Sequence, residues 1–198
     1  SVGGYGQAFT SPLVGRQYTF SGYTFISSGD PIPGTATCTR NRLIAKVVFF
    51  NALSGGAEIS SNEIVVGDYS TVLNRWNEFT VTAPVPPGAQ RVEALMLYLQ
   101  PACDTGAVFV DDLSFEESAV GASTNVNLVN PSFTSNLTGW TTFGNVFYDA
   151  RSAFVRSPAG SAKLFSTFVA DAPSGLYQGF TATPRPASSR ASPTAACG

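Results

Sequence analysis

The feature that most constrains this chain is the near absence of helical periodicity. In its place the sequence carries short runs rich in Val, Ile, Phe, Tyr and Thr, cut apart by clusters of Gly, Pro, Asn and Asp. Runs of this kind bury one face of an extended segment and then turn sharply. That is the pattern of an antiparallel all-β sandwich. Strands are predicted near 4–10, 16–26, 42–51, 57–66, 76–83, 91–100 and 106–116. Pro84-Val85-Pro86-Pro87-Gly88 between two of them is a rigid corner that no central strand accommodates. Further apolar clusters fall near 126–134, 138–149, 152–156, 160–169 and 174–181.

Side-chain alternation assigns faces to these strands. Along 16–26, Tyr18 and Phe20 share one face, and Thr19, Ser21, Tyr23 and Phe25 share the other. Gly22 is the place where a bulge would reset that phase. Along 107–115, alternation puts Ala107, Phe109, Asp111, Leu113 and Phe115 in one line. Asp111 thereby falls among apolar side chains, where a carboxylate needs a cation or several donors. Asp112 points the other way, toward solvent.

Two stretches break the pattern. Glu117 to Asn125 is polar and small, and reads as a linker centred on 119–124. From Thr183 the chain holds no large apolar residue, so 182–198 is expected to be a flexible tail.

Composition narrows the function. A net charge of −2 with 12% charged residues offers no basic stripe for phosphates, which argues against nucleic acid. No apolar run approaches the ~18 residues needed to span a bilayer. The start carries no leader-like basic and apolar segments, so a processed, exported chain is expected. Histidine is absent, which removes the commonest general base and metal ligand. Glycosidase chemistry needs only two carboxylates, but none here stands in a recognisable motif, so the chain reads as a non-enzyme. A surface rich in Ser, Thr, Asn and Gly suits an extracellular protein that handles neutral polymers.

Cys38 and Cys103 each lie in a loop flanking a strand, and in an exported chain two such cysteines predict a disulfide; two free, half-buried thiols are the alternative. Cys197 is the odd one out. Asn136-Leu137-Thr138 is a glycan acceptor pattern.

Three stretches carry a resemblance. Asn127-Leu128-Val129-Asn130-Pro131-Ser132-Phe133 is followed by Leu137-Thr138-Gly139-Trp140. A second stretch is Ser174-Gly175-Leu176-Tyr177-Gln178-Gly179-Phe180. The third runs from Gly15-Arg16-Gln17-Tyr18-Thr19-Phe20 through Trp76-Asn77-Glu78-Phe79-Thr80 to Ala107-Val108-Phe109-Val110-Asp111-Asp112-Leu113-Ser114-Phe115. Together they resemble the jelly-roll carbohydrate-binding modules appended to xylanases and glucanases, with the halves in swapped order. The closing half (1–118) precedes the opening half (125–181). Gly4-Tyr5-Gly6-Gln7-Ala8-Phe9-Thr10 also matches Gly175 to Thr181, as if one mid-module strand occurred in both halves. The order fits a window cut from a tandem array, a permutant closing on itself, or halves exchanged between chains in a head-to-tail filament.

The resemblance implies polysaccharide binding, with aromatic rings stacking on sugars and short polar groups bonding hydroxyls. The candidates are Tyr5, Gln7, Tyr23, Phe25, Tyr177 and Gln178, although for the aromatics among them core or ordinary strand filling is the stronger reading. Trp76 and Trp140 are expected to pack structurally. The resemblance further implies a structural calcium between Asp111 and the segment Asn130 to Thr134, although Thr134 stands where the family carries an acid. The alternative function is a structural subunit of an extracellular filament or surface layer, self-associating through its half-modules.

Overall fold

The computed structural model describes residues 14–34, 41–99, 106–119, 122–126, 128–157, 159–165 and 172–180. Tyr5, Gln7, Cys38, Cys103 and the tail lie outside the described residues. The strands are β1 (Arg16–Phe25), β2 (Arg42–Phe50), β3 (Glu58–Gly67), β4 (Trp76–Pro84), β5 (Arg91–Leu99), β6 (Ala107–Ala119), β7 (Ala122–Val126), β8 (Thr141–Phe143), β9 (Asn145–Asp149), β10 (Ser161–Phe165) and β11 (Ser174–Phe180). One 3-10 turn, Ser152–Phe154, is the helical element among them.

The strands form two antiparallel sheets, a β-sandwich. The first runs β4-β1-β6-β10-β9, with β7 also paired to β6; the second runs β3-β2-β5-β11-β8. Both sheets therefore combine strands from both stretches that the sequence reads as half-modules. β10 pairs with β6, and β11 pairs with β5. The chain completes its own sheets.

The core lies between the sheets. Tyr18, Phe20 and Phe115 from the first sheet meet Phe49, Met96 and Leu176 from the second. Each is essentially inaccessible, and burying a side chain of that size contributes about 1.5–3 kcal/mol. Tyr18 stacks on Phe115 with ring centres 5.2 Å apart. The second stretch adds Phe133 and Trp140, whose rings lie 5.6 Å apart. Trp140 is buried, as expected, and its indole N–H donates to the Asn130 carbonyl at 3.0 Å.

The phase of β1 runs unbroken: Tyr18, Phe20 and Ile26 belong to the core, and Thr24 points the same way, donating to the Val66 carbonyl. The β1–β6 register does shift between Ser21 and Tyr23, where Ser21 faces Ser114 and Tyr23 faces Asp111. Two steps on β1 thus match three on β6, so the extra residue sits in β6. Asp112 marks it with a left-handed φ of 49°, a conformation that Asp adopts more readily than most residues. Gly22 is the partner this requires, since a Cβ there would land 2.5 Å from the Leu113 Cδ2.

The bulge corrects the single line expected along 107–115. Val108, Val110, Leu113 and Phe115 belong to the core. Ala107, Phe109 and Asp111 therefore face outward, and Leu113 and Phe115 inward. The stretch expected as a linker holds strand: β6 continues to Ala119, and β7 returns along it from Ala122.

Candidate ligand-binding face

Outward-facing residues of the first sheet line up in a cross-strand row. Phe25 lies opposite Trp76 on one side and Phe109 on the other. Phe109 lies opposite Lys163, and Lys163 opposite Phe147. Trp76, Phe25, Phe109, Lys163 and Phe147 thus cross five strands, and none of the rings belongs to the core between the sheets. Phe25 is 5.4 Å from Trp76 and 6.2 Å from Phe109, centre to centre. Trp76 is half-buried in this row, which is how its expected structural packing is realised.

The 3-10 turn lays Phe154 over the row. Its ring stacks on Phe109 at 4.4 Å with an 11° tilt and meets Phe25 edge-on at 5.9 Å. The Arg151 guanidinium lies 4.7 Å from the centre of the Phe154 ring. Its Nε donates to both Asp149 oxygens and its Nη2 to one of them. Those hydrogen bonds hold the Asp149 carboxyl below the usual carboxylate range. At the far end of the row Phe147, half-exposed, stacks on Phe165 at 5.2 Å.

Between the turn and the sheet an open cleft of about 210 Å³ has Phe109 and Phe154 as aromatic walls, Arg151 and Lys163 as cations, and Ser27 and Asp30 on its rim. Lys163 Nζ lies 5.8 Å from the Phe109 ring centre and 5.4 Å from that of Phe165. Asp30 Oδ1 accepts from the Gly106 N–H at 3.0 Å.

The bulge on β6 fixes the segment that carries Phe154. β10 pairs with β6 over 107–110 and β7 over 115–119, so the backbone between them has no strand beside it on the edge away from β1. Asp111 fills that gap. Its Oδ2 accepts the backbone N–H groups of Arg156 and Ser157, each at 3.0 Å, and its Oδ1 accepts that of Asp112 at 2.8 Å. Leu113 N–H donates to the Pro131 carbonyl. Asp112 is not merely solvated: it accepts from the Ser132 and Ser157 hydroxyls and from the Arg156 guanidinium. Arg156 in turn covers the Tyr23 ring. Two adjacent aspartates therefore tie both the 130–134 loop and the 154–157 segment to one bulge.

The predicted ligand residues divide among three places. Tyr23 and Phe25 lie on this face, Tyr23 beneath Arg156 and Phe25 buried at the base of the ring cluster. Tyr177 faces outward on the second sheet, 6.5 Å from Phe143, where burial raises its phenol pKa. Gln178 points inward and clamps the backbone of Val129, accepting its N–H at 3.0 Å and donating to its carbonyl at 2.6 Å.

Asp111 is fully buried and bonded to backbone N–H groups, as its sequence position demanded, but the donors come from 156–157 rather than 130–134. Asn130 organises its own loop instead. Its Oδ1 accepts the Thr134 N–H, and its Nδ2 donates to the carbonyls of Asn136 and Thr138. No group of three or more acidic or Cys ligands gathers among the described residues, and the Asp111 oxygens face N–H hydrogens that a cation would have to displace. Asp111, Asn130 and Thr134, the residues the resemblance implies for calcium, are here engaged with backbone partners.

Sequence reasoning missed Phe154, Arg151, Lys163, Phe147 and Phe165. The faces of the separate strands are readable in alternation, whereas a row across five strands depends on register, which alternation does not encode. Comparisons with protein-family models, with curated proteins and with solved structures find no match to this chain. What the fold and the face define is a class, an all-β sandwich with an aromatic, cation-bearing cleft on one outer sheet.

Proposed function

We propose that this protein is a non-catalytic, extracellular polysaccharide-binding β-sandwich, and that the sugar chain lies along the outer face of the first sheet. The observation that carries the reading is the aromatic row topped by Phe154 beside an open cleft. Aromatic faces offer sugars a stacking surface, and the polar groups at the rim offer hydrogen bonds to hydroxyls. Trp76, Phe154 and Phe147 are the rings with open area, while Phe25 and Phe109 support them from below. The pairing of Arg151 with Asp149 uses the cation to place a ring, a structural task rather than an acid–base one.

Affinity electrophoresis through polysaccharide gels tests this directly. The unaltered protein is expected to be retarded by at least one plant or fungal cell-wall polysaccharide, and Phe154→Ala to run unretarded while melting cooperatively. A panel that retards neither protein removes the reading.

A structural subunit is the second reading, and the strand pairing is compatible with it. The pairs that join distant parts of the two halves, β6 with β10 and β5 with β11, have the same geometry if the partner half comes from a neighbouring chain, as domain exchange requires.

A further inference from the structure

Of the two cations that line the cleft, Lys163 makes no direct ion pair or hydrogen bond among the described residues, and we infer that the cleft selects a carboxylate-bearing sugar, a uronic acid unit of an acidic polysaccharide. The inference rests on the carbohydrate-binding reading above and names the substrate class for the same site.

The two cations of the cleft differ in state. Arg151 is committed to Asp149 through Nε and Nη2, which leaves Nη1 without a hydrogen bond among the described residues. Lys163 makes no ion pair or hydrogen bond among the described residues. Its ammonium lies near the rings of Phe109 and Phe165, at distances where the attraction between cation and ring is weak, and it acts on the Asp149 carboxylate only through space, beside the direct pair that Arg151 makes there. Asp30 lines the same cleft but does not pair with Lys163, and its Oδ1 is occupied by the Gly106 N–H. A neutral sugar stacked on Phe154 would strip water from the ammonium and return no counter-charge, which costs free energy. A sugar carboxylate supplies that charge, and the unused Nη1 of Arg151 gives it a second donor.

Size points to a single unit. At about 210 Å³ the cleft is smaller than the roughly 300–1,000 Å³ typical of pockets that enclose a drug-sized ligand. It takes one ring with its substituent, and the rest of the chain follows the aromatic row.

Isothermal titration of the full chain with a uronate oligosaccharide and with its carboxyl-reduced, neutral counterpart tests the inference, because the two ligands share every ring and linkage. The acidic form is expected to bind roughly tenfold tighter, the scale of one charge-assisted contact, and its advantage to shrink as salt is raised. Lys163→Gln is expected to erase the difference and Lys163→Arg to keep most of it, while Phe154→Ala weakens both ligands. Should Lys163→Gln fail to melt like the unaltered protein, Lys163→Arg and the salt series still decide. Equal binding of the two forms, with no salt dependence, overturns the acid preference and leaves carbohydrate binding standing. Binding of neither form by folded protein overturns both.

Discussion

The Arg156 guanidinium lies 3.5 Å from the centre of the Tyr23 ring while its Nη1 reaches the Asp112 carboxylate. One side chain thus spans β1 and the bulge of β6, and closes the 154–157 segment over the sheet. Arg156→Ala is expected to lower stability by about 1 kcal/mol, the sum of a partly exposed ion pair and a cation–π contact. It should also open Tyr23 to solvent, visible as a shift in tyrosine absorbance on solvent perturbation. Urea unfolding gives the first quantity. An unchanged midpoint together with an unchanged tyrosine signal would show that the contact contributes nothing.

Asp111 is the larger structural commitment. Its side chain satisfies three backbone N–H groups where the edge of β6 away from β1 has no strand beside it, and truncation leaves those donors without an acceptor. Asp111→Ala is expected to cost about 2–4 kcal/mol, since each buried orphan donor costs about 1–3 kcal/mol and some of the three reach water. Because the 154–157 segment positions Phe154, the same variant should lose ligand retardation at temperatures where it remains folded. A variant that is both stable and fully retarded would refute the clamp.

The two aspartates respond to acid in opposite directions. At Asp112 burial pushes the carboxyl pKa up, but hydrogen bonds from Ser157, Ser132 and Arg156 outweigh it and hold the value below normal. Its contribution to stability is therefore present above the ordinary carboxylate pKa and is lost as pH falls through the folded value. Burial of Asp111 outweighs its backbone donors and raises its pKa, so its contribution is greatest at low pH and declines as pH rises through that raised value. Between about pH 5 and about pH 3 the melting temperature of the unaltered protein is expected to fall. Asp112→Asn should flatten that fall and Asp111→Asn should steepen it. Parallel melts across this range check the sign, and the reverse pair of slopes would sink the assignment.

Alternation carried most of the sandwich. The strands predicted near 16–26, 42–51, 57–66, 76–83 and 91–100 match β1 to β5 closely, because alternate residues of each face the core. It failed at Asp112, where a single inserted residue flips every side chain after it. The sequence marks that place only by two consecutive acids within an apolar run. Within the clusters at 126–134 and 152–156, residues 128–134 are loop and Ser152–Phe154 a 3-10 turn. Phe133 and Phe154 in them are anchored by packing against distant strands, and apolar composition alone does not separate that from strand. Tyr23 and Phe25 were found because they share an alternating face. Lys163 was not, because its meaning comes from Phe109, which lies beside it only through the β6–β10 register.

The dependence of each half on the other gives the last prediction. β10 lies between β6 and β9, and β11 between β5 and β8, so removing 125–181 takes strands from both sheets and leaves β5 and part of β6 as open edges. It also strips Phe133, Trp140, Ala162, Leu164 and Leu176 from the core. Bared edges and apolar faces associate. The truncated chain is therefore expected to aggregate or to melt without cooperativity, measured by light scattering after size exclusion and by calorimetry. In the full chain the within-chain pairing predicts a monomer at low concentration. A slow, concentration-dependent rise in mass after partial unfolding and refolding would report exchange of the same halves between chains, because exchange re-forms identical pairs once the hinge has opened. A monomeric, cooperatively melting 1–118 fragment would show that the first half holds its own core, and would remove the basis for exchange.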